Sequence, residues 1–126
     1  MKKQIVVVID DDIAVRESLE AVLKSAQHNP RVFSSAEEFL ESATLEKADC
    51  VITDVCMGGM NGLDLQRRIR VDRPALPVIF ISAHHDDQTR RRALESGAAD
   101  FLYKPLDGAD LLGAIDSCMS KRRLNL

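Results

Sequence analysis

The side chains best suited to phosphate and metal chemistry are the acidic run Asp10-Asp11-Asp12, the isolated Asp54, the hydroxyl of Ser82 and the ammonium of Lys104. Carboxylates that converge on one pocket repel each other and bind protons more tightly unless a cation neutralises them. Oxygen ligands without a nearby His or Cys select a hard ion, and Mg²⁺ is commonly held by one or two carboxylates together with phosphate and water. A carboxylate beside such an ion can attack a phosphoryl group and become an aspartyl phosphate. Lys104 would neutralise charge on the phosphoryl oxygens, and Ser82 would donate a hydrogen bond to one of them. Asp54 is the candidate acceptor, because the flexible Gly58-Gly59 stretch beyond it leaves its carboxylate accessible. Asp12 is assigned to capping a helix; a cap explains one acid of the run and does not explain Asp54.

These groups need elements to bring them together. Gln4 to Ile9 is a compact β-branched run, followed by apolar residues at helical spacing: Val15, Leu19, Val22, Leu23 and Ala26. Asn29-Pro30 should break that helix, with Arg31 to Phe33 as a short strand. Ser35 and Glu38 then have capping-box spacing ahead of Phe39 and Leu40. Cys50 to Thr53 reads as a third strand, and a glycine-rich loop runs through Gly62 to a polar helix bearing Leu65 and Ile69. Pro77 to Ile81 is a fourth strand, and the charged helix after His84 to Gln88 should stop at Ser96-Gly97. Asp100 to Tyr103 is a fifth strand, and Leu111, Leu112, Ile115, Cys118 and Met119 mark a last amphipathic helix.

Near-continuous apolar strands alternating with helices predict a parallel sheet covered on both faces by right-handed crossovers. The expected fold is a doubly wound α/β sandwich, a five-stranded sheet in the flavodoxin-like order 2-1-3-4-5 flanked by five helices. Ligands of such sheets bind beyond the carboxyl ends of the strands, at the switch point between the first and third. Asp10, Asp54, Ser82 and Lys104 all fall at strand ends.

Composition limits the remaining possibilities. A chain of 126 residues is expected to be one domain, with no room for a separate effector module. Seventeen Lys and Arg against 20 Asp and Glu give a net charge of −3, which argues against nucleic-acid binding by this chain. The apolar runs are strand-sized, far below the roughly 20 residues that cross a bilayer, and the N-terminus lacks the apolar region of a secretory signal. A cytoplasmic location is expected. Cys50, Cys56 and Cys118 show neither C-x-x-C nor metal-ligand spacing and are expected to be reduced thiols.

Val8-Ile9-Asp10-Asp11-Asp12, Thr53-Asp54-Val55-Cys56-Met57, Met60-Asn61-Gly62-Leu63-Asp64-Leu65, Ile79-Phe80-Ile81-Ser82-Ala83 and Asp100-Phe101-Leu102-Tyr103-Lys104-Pro105 together resemble the receiver domain of bacterial two-component response regulators. Each motif alone is weak; their order, spacing and position at strand ends make the signal. The resemblance covers residues 1–126. His84 with Asp86, and Ala98-Ala99-Asp100-Phe101, are most similar to FixJ-type receivers. It implies that Asp54 takes a phosphoryl group from a phosphohistidine on a sensor histidine kinase. It further implies that Asp11, Asp54 and the backbone carbonyl of Cys56 bind Mg²⁺, with Asp10 acting through water. Ser82 and Phe101 would be the switch residues, remodelling the face of the fourth helix, fifth strand and fifth helix for dimerisation or effector control, with transcription the expected output. Phe101 reads equally as a core aromatic.

The family usually places proline four residues after the acceptor; Gly58 stands there, followed by Gly59, and a more mobile loop with an altered phosphoryl lifetime is expected. Cys56, Ala83 and His84 border the phosphoryl pocket in the family. Nearby acids disfavour a Cys56 thiolate and hence redox sensing. Arg90-Arg91-Arg92 is either a solvated face or, by resemblance, part of a dimer surface near Asp100, Asp107 and Asp110. Other functions compete with that of the signalling acceptor. An aspartate-nucleophile phosphatase would need an acid two residues beyond the nucleophile, where Cys56 stands. A flavin module would need Ser, Thr and Gly where the first loop is acidic. A stand-alone adaptor receiver also fits, because Lys121 to Leu126 reads either as an end or as the start of a linker to a DNA-binding domain.

Overall fold

The computed structural model describes residues 3–124 and forms a parallel sheet of 5 strands in the order β2-β1-β3-β4-β5, as expected. The strands are β1 (Ile5–Ile9), β2 (Asn29–Phe33), β3 (Cys50–Asp54), β4 (Val78–Ser82) and β5 (Asp100–Tyr103). They alternate with helices α1 (Ile13–Ser25), α2 (Ala36–Glu41), α3 (Gly62–Asp72), α4 (Asp87–Glu95) and α5 (Gly108–Leu124). A single 3-10 turn, Thr44–Glu46, precedes β3 and was not foreseen. Asn125 and Leu126, part of the possible linker, lie outside the described residues.

Side chains alternate across the strands and so build two cores. Val7, Ile9, Val51 and Phe80 pack with Phe39 of α2, Leu65 and Ile69 of α3 and Ala93 of α4. Val6, Val8, Ile52, Ile79 and Ile81 pack on the other face with Leu19 and Leu23 of α1 and Leu111 and Ile115 of α5. The central strands β3 and β4 are buried at every position, which accounts for their unbroken apolar runs.

Several boundaries differ from expectation. Asn29-Pro30 does not end α1, which stops at Ser25; both residues belong to β2, where Pro30 pairs with Val6. Proline is tolerated there because β2 is an edge strand and one side of its backbone needs no ladder partner. β4 extends through Ser82 and β3 through Asp54, so both functional side chains are the last residues of their strands. The capping signals hold: the Ser35 hydroxyl accepts from Glu38 N at 3.0 Å, and Ser96-Gly97 closes α4 with Gly97 at φ +99°. The Glu38 carboxylate reaches Ser34 rather than Ser35, at both N–H and hydroxyl. Cys50 and Cys118 carry thiols whose sulfurs lie 4.0 Å apart between β3 and α5.

Candidate functional site

The strand ends gather the expected charges into one cluster. Asp10, at the end of β1, is fully buried. Its Oδ1 accepts from Asp12 N at 2.9 Å, and its Oδ2 faces the Lys104 Nζ at 2.7 Å and makes no other hydrogen bond among the described residues. Asp54 is 7% exposed; Oδ1 accepts from Cys56 N at 3.0 Å and Oδ2 from Lys104 Nζ at 2.8 Å. Lys104 thus bridges two carboxylates that would otherwise repel each other. Burial raises the pKa of Asp10 above the usual carboxylate value, and the charge of Asp54 adds to this, against the opposing pull of Lys104 and the Asp12 N–H. For Lys104, burial pulls the pKa down, but hydrogen bonds to Asp10 and Asp54 outweigh it and the net direction is up.

One carboxylate oxygen from each of Asp10, Asp11 and Asp54 lies within 4.8 Å of the others. Asp11 is exposed, so the group opens to solvent on one side. Three carboxylate oxygens so close together, from Asp10, Asp11 and Asp54, suit a hard divalent cation, and the Asp10 Oδ2 is buried with a single ionic contact. Asp12, by contrast, is the cap of α1, accepting from Ala14 N at 2.9 Å, as its position predicted.

The loop after Asp54 is positioned by its glycines. Gly62 opens α3, and a Cβ there would lie 2.6 Å from the Asp54 carbonyl and 2.9 Å from the Phe80 ring. No other residue lets the helix start so close to the strand end. Gly59 adopts φ +78°, and Met60 N donates to Glu37 Oε2 of α2 at 2.9 Å. The loop is therefore pinned at Met60 and at Gly62. Glu37 escaped sequence reasoning because its partner is distant in the chain and an exposed acid in a first helical turn looks like a helix-dipole residue.

Ser82 sits beside Lys104, whose N–H donates to the Ser82 carbonyl at 2.8 Å, but its hydroxyl is turned onto the His84 backbone, donating to His84 O at 3.2 Å and accepting from His84 N at 3.1 Å. The structure thus does not bring the Ser82 hydroxyl to Asp54. Ala83, His84 and Cys56 are exposed at the rim. Phe101 is 4% exposed and packs at 6.5 Å from Phe80 and 5.4 Å from Tyr103, whose ring stacks on His85 at 4.3 Å. It occupies the inward position and serves the core.

Arg90, Arg91 and Arg92 are all exposed on α4. Successive residues of a helix are turned about 100° from one another, and of the three it is Arg92 that lines a cavity with Asp11, Cys56 and Asn61. Among the described residues none of the three arginines forms an ion pair with Asp100, Asp107 or Asp110. Asp107 instead caps α5 through Ala109 N at 2.8 Å, and Asp100 accepts from Phe101 N at 2.8 Å.

Comparison with known proteins agrees with this geometry. Residues 6–116 match the family model described as the response regulator receiver domain. The chain is 37% identical over 118 residues to the response regulator protein TodT of Pseudomonas putida, covering 94% of this chain and 52% of that protein. It is 35% identical over 112 residues to the transcriptional regulatory protein FixJ of Bradyrhizobium diazoefficiens, covering 89% of this chain and 55% of that one. It spans about half the length of these curated relatives. Among solved structures, a response regulator receiver domain protein from Clostridium thermocellum superposes with a TM-score of 0.91 at 28% identity, covering 98% of this chain and 99% of that one. With the fold, the acidic strand ends and these matches in agreement, the chain belongs to the response regulator receiver domain family.

Proposed function

We propose that the chain is a phospho-acceptor of two-component signalling, with Asp54 as the residue that takes the phosphoryl group from a phosphohistidine of a sensor histidine kinase in the cytoplasm. The observation that carries this reading is the Asp54 carboxylate itself. It is held between the Cys56 N–H and the Lys104 ammonium, with a carboxylate oxygen within 4.8 Å of oxygens of Asp10 and the exposed Asp11.

Asp54 attacks phosphorus with one carboxylate oxygen as the bond from phosphorus to the histidine nitrogen breaks and its electron pair stays on that nitrogen; Lys104 transfers its contact from the carboxylate to the phosphoryl oxygens, whose charge it neutralises. The Ser82 hydroxyl leaves the His84 carbonyl and donates to a phosphoryl oxygen; that exchange is the switch, and it pulls on the β4–α4 segment. Asp11, Asp54 and the Cys56 carbonyl would hold Mg²⁺, with Asp10 behind them. The ion supplies positive charge that lets the acids and a phosphoryl group share the site. Cys56, Ala83 and His84 form the rim that controls water reaching the acyl phosphate. The protein is an acceptor rather than a turnover catalyst, since Cys56 provides no acid where a phosphatase needs one.

The face of α4, β5 and α5 is the readout, a surface for a second copy or an effector, with transcription as the output of the longer protein. The reading is tested by labelling with a small phosphodonor. Labelling should require Mg²⁺ and vanish in Asp54→Asn, and equal labelling of that variant would refute it. Sedimentation should show a larger species only with donor.

A further inference from the structure

Beside the acidic cluster, a cavity of about 470 Å³ opens between the β3–α3 loop and α4, lined among others by Asp11, Cys56, Gly58, Asn61, Thr89 and Arg92. Small-molecule sites span roughly 300–1,000 Å³, so this space is larger than the phosphoryl group and ion of the reading above require. Its lining combines the acidic residue Asp11 and the rim residue Cys56 with the guanidinium of Arg92. Arg92 has no ion-pair partner within 4.0 Å among the described residues; its charge acts at longer range on Asp86 at the start of α4, whose pKa it helps to lower after the Thr89 hydroxyl and Gln88 N–H, whereas arginines of the facing loop and α3 are committed. Arg67 pairs with Asp64, Arg73 bonds the carbonyls of Leu45 and Glu46, and Arg70 donates to the Ser96 carbonyl.

The backbone beneath Arg92 is also fixed. Its carbonyl accepts from Ser96 N at 3.0 Å, and the Ser96 hydroxyl donates to Gln66 Oε1 of α3 at 2.7 Å. Gln66 is buried, so the last turn of α4 is tied to α3. At the other end of the helix, the Thr89 hydroxyl donates to Asp86 Oδ2 at 2.7 Å, which leaves Arg92 as the cation of this wall. Arg90 and Arg91 do not line it.

We propose that this cavity receives the acyl end of a small acyl phosphate, and that Arg92 selects such donors by stabilising the carboxylate that departs when Asp54 is phosphorylated. The inference rests on the phospho-acceptor reading. In the step, a bond forms between an Asp54 carboxylate oxygen and phosphorus, and the bond from phosphorus to the acyl oxygen breaks. The electron pair stays on that oxygen, which leaves as a carboxylate and needs no proton. Negative charge therefore develops on the leaving oxygen during the reaction, and a cation placed there binds the transition state better than the donor. Phosphoramidate reacts with its nitrogen protonated and releases neutral ammonia, so its leaving group carries positive charge into the transition state and is repelled, not held, by the same cation. Arg92 thus discriminates between donors by the charge of what departs.

The experiment uses the 126-residue protein with Mg²⁺, and follows the rate of aspartyl phosphate formation from acetyl phosphate and from phosphoramidate by intact-protein mass. Arg92→Ala should lower the ratio of acetyl phosphate rate to phosphoramidate rate by about three- to tenfold, the range for losing one partly solvated charge contact. Arg92→Lys should retain most of the ratio. Arg90→Ala removes the same charge from the same helix away from the cavity and should leave the ratio at the wild-type value. An unchanged ratio in Arg92→Ala, or an equal fall in Arg90→Ala, overturns the proposal. Failure of the wild-type protein to accept phosphate from phosphoramidate is a separate outcome that removes the acceptor reading itself, and this inference with it.

Discussion

The rim of the sheet has two unlike halves. At the ends of β1, β3 and β5, Asp10, Asp54 and Lys104 are buried or nearly so and locked to one another, with the Asp12 and Cys56 N–H groups donating to the second oxygen of each carboxylate. At the end of β4, the Ser82 hydroxyl bonds to the backbone of His84, Ala83 and His84 are exposed, and α4 buries a single residue among those described, Ala93. The first half is built before any reaction occurs. The second is held by few buried contacts, and segments of that kind open at low free-energy cost. Chemistry that needs preorganised charge and a readout that needs movement are thus placed on adjacent strands of one sheet.

Breaking the locked half should have the largest effect. Lys104→Met leaves Asp10 and Asp54 facing each other without a cation and should cost about 2–4 kcal/mol in urea unfolding at neutral pH, by analogy with losing one partner of a buried pair. Excess Mg²⁺ should restore part of that stability, because an ion that binds only the folded protein shifts the equilibrium by mass action. A Lys104→Met protein as stable as the wild type would show that the lock is unimportant. Next comes Gly62→Ala, whose methyl would press on the Asp54 carbonyl and should cost about 1–3 kcal/mol and slow labelling. Gly58→Ala is the matched control, since a Cβ there meets nothing within 4 Å. Equal losses in the two variants would contradict the packing account. In the loose half, Asp86→Ala removes the cap contacts to Gln88 N and Thr89. It should speed amide hydrogen exchange across the first turn of α4 while leaving α3 unchanged; exchange that rises equally in both helices would count against an independent α4.

Much of this division was legible in the sequence because it depends on local signals. Strand runs, the caps Asp12 and Ser35, the stop at Ser96-Gly97 and the placing of charges at strand ends all follow from patterns a few residues long. What escaped depends on partners remote in the chain. Nothing near Glu37 points to Met60, and nothing in the arginine run says that Arg92 lines the cavity while its neighbours do not; only the helix rotation and the packing of α4 decide that. Gly62 was read as the end of a loop, whereas its true constraint is the Asp54 carbonyl against it. The direction of the Ser82 hydroxyl was equally hidden, because the competing acceptor is the backbone of a loop whose conformation follows from the α4 cap.

The smallest effect, and the one that tests where the two halves meet, concerns Glu37. Its carboxylate is held below the usual glutamate value of 4.5, first by the Met60 N–H and then by its own backbone N–H. A carboxyl whose pKa is lowered on folding contributes above its unfolded pKa, and the contribution is lost as pH falls through the lowered folded value. The tether should therefore hold from neutrality down to the ordinary glutamate range and release only below it. The Met60 amide resonance should follow that single titration, shifting in step with the Glu37 carboxyl. Glu37→Gln keeps an acceptor oxygen without the charge, so the Met60 shift should become independent of pH and its exchange moderately faster; Glu37→Ala should speed it further. Exchange at Leu65 and Ile69, deep in α3, should not change, since the tether fixes the loop and not the helix. If Met60 titrates with a different group, or is as protected in Glu37→Ala as in the wild type, then the loop beside Asp54 is fixed by Gly62 alone. The mobility expected from Gly58-Gly59 would then extend through Met60, up to the edge of the locked half.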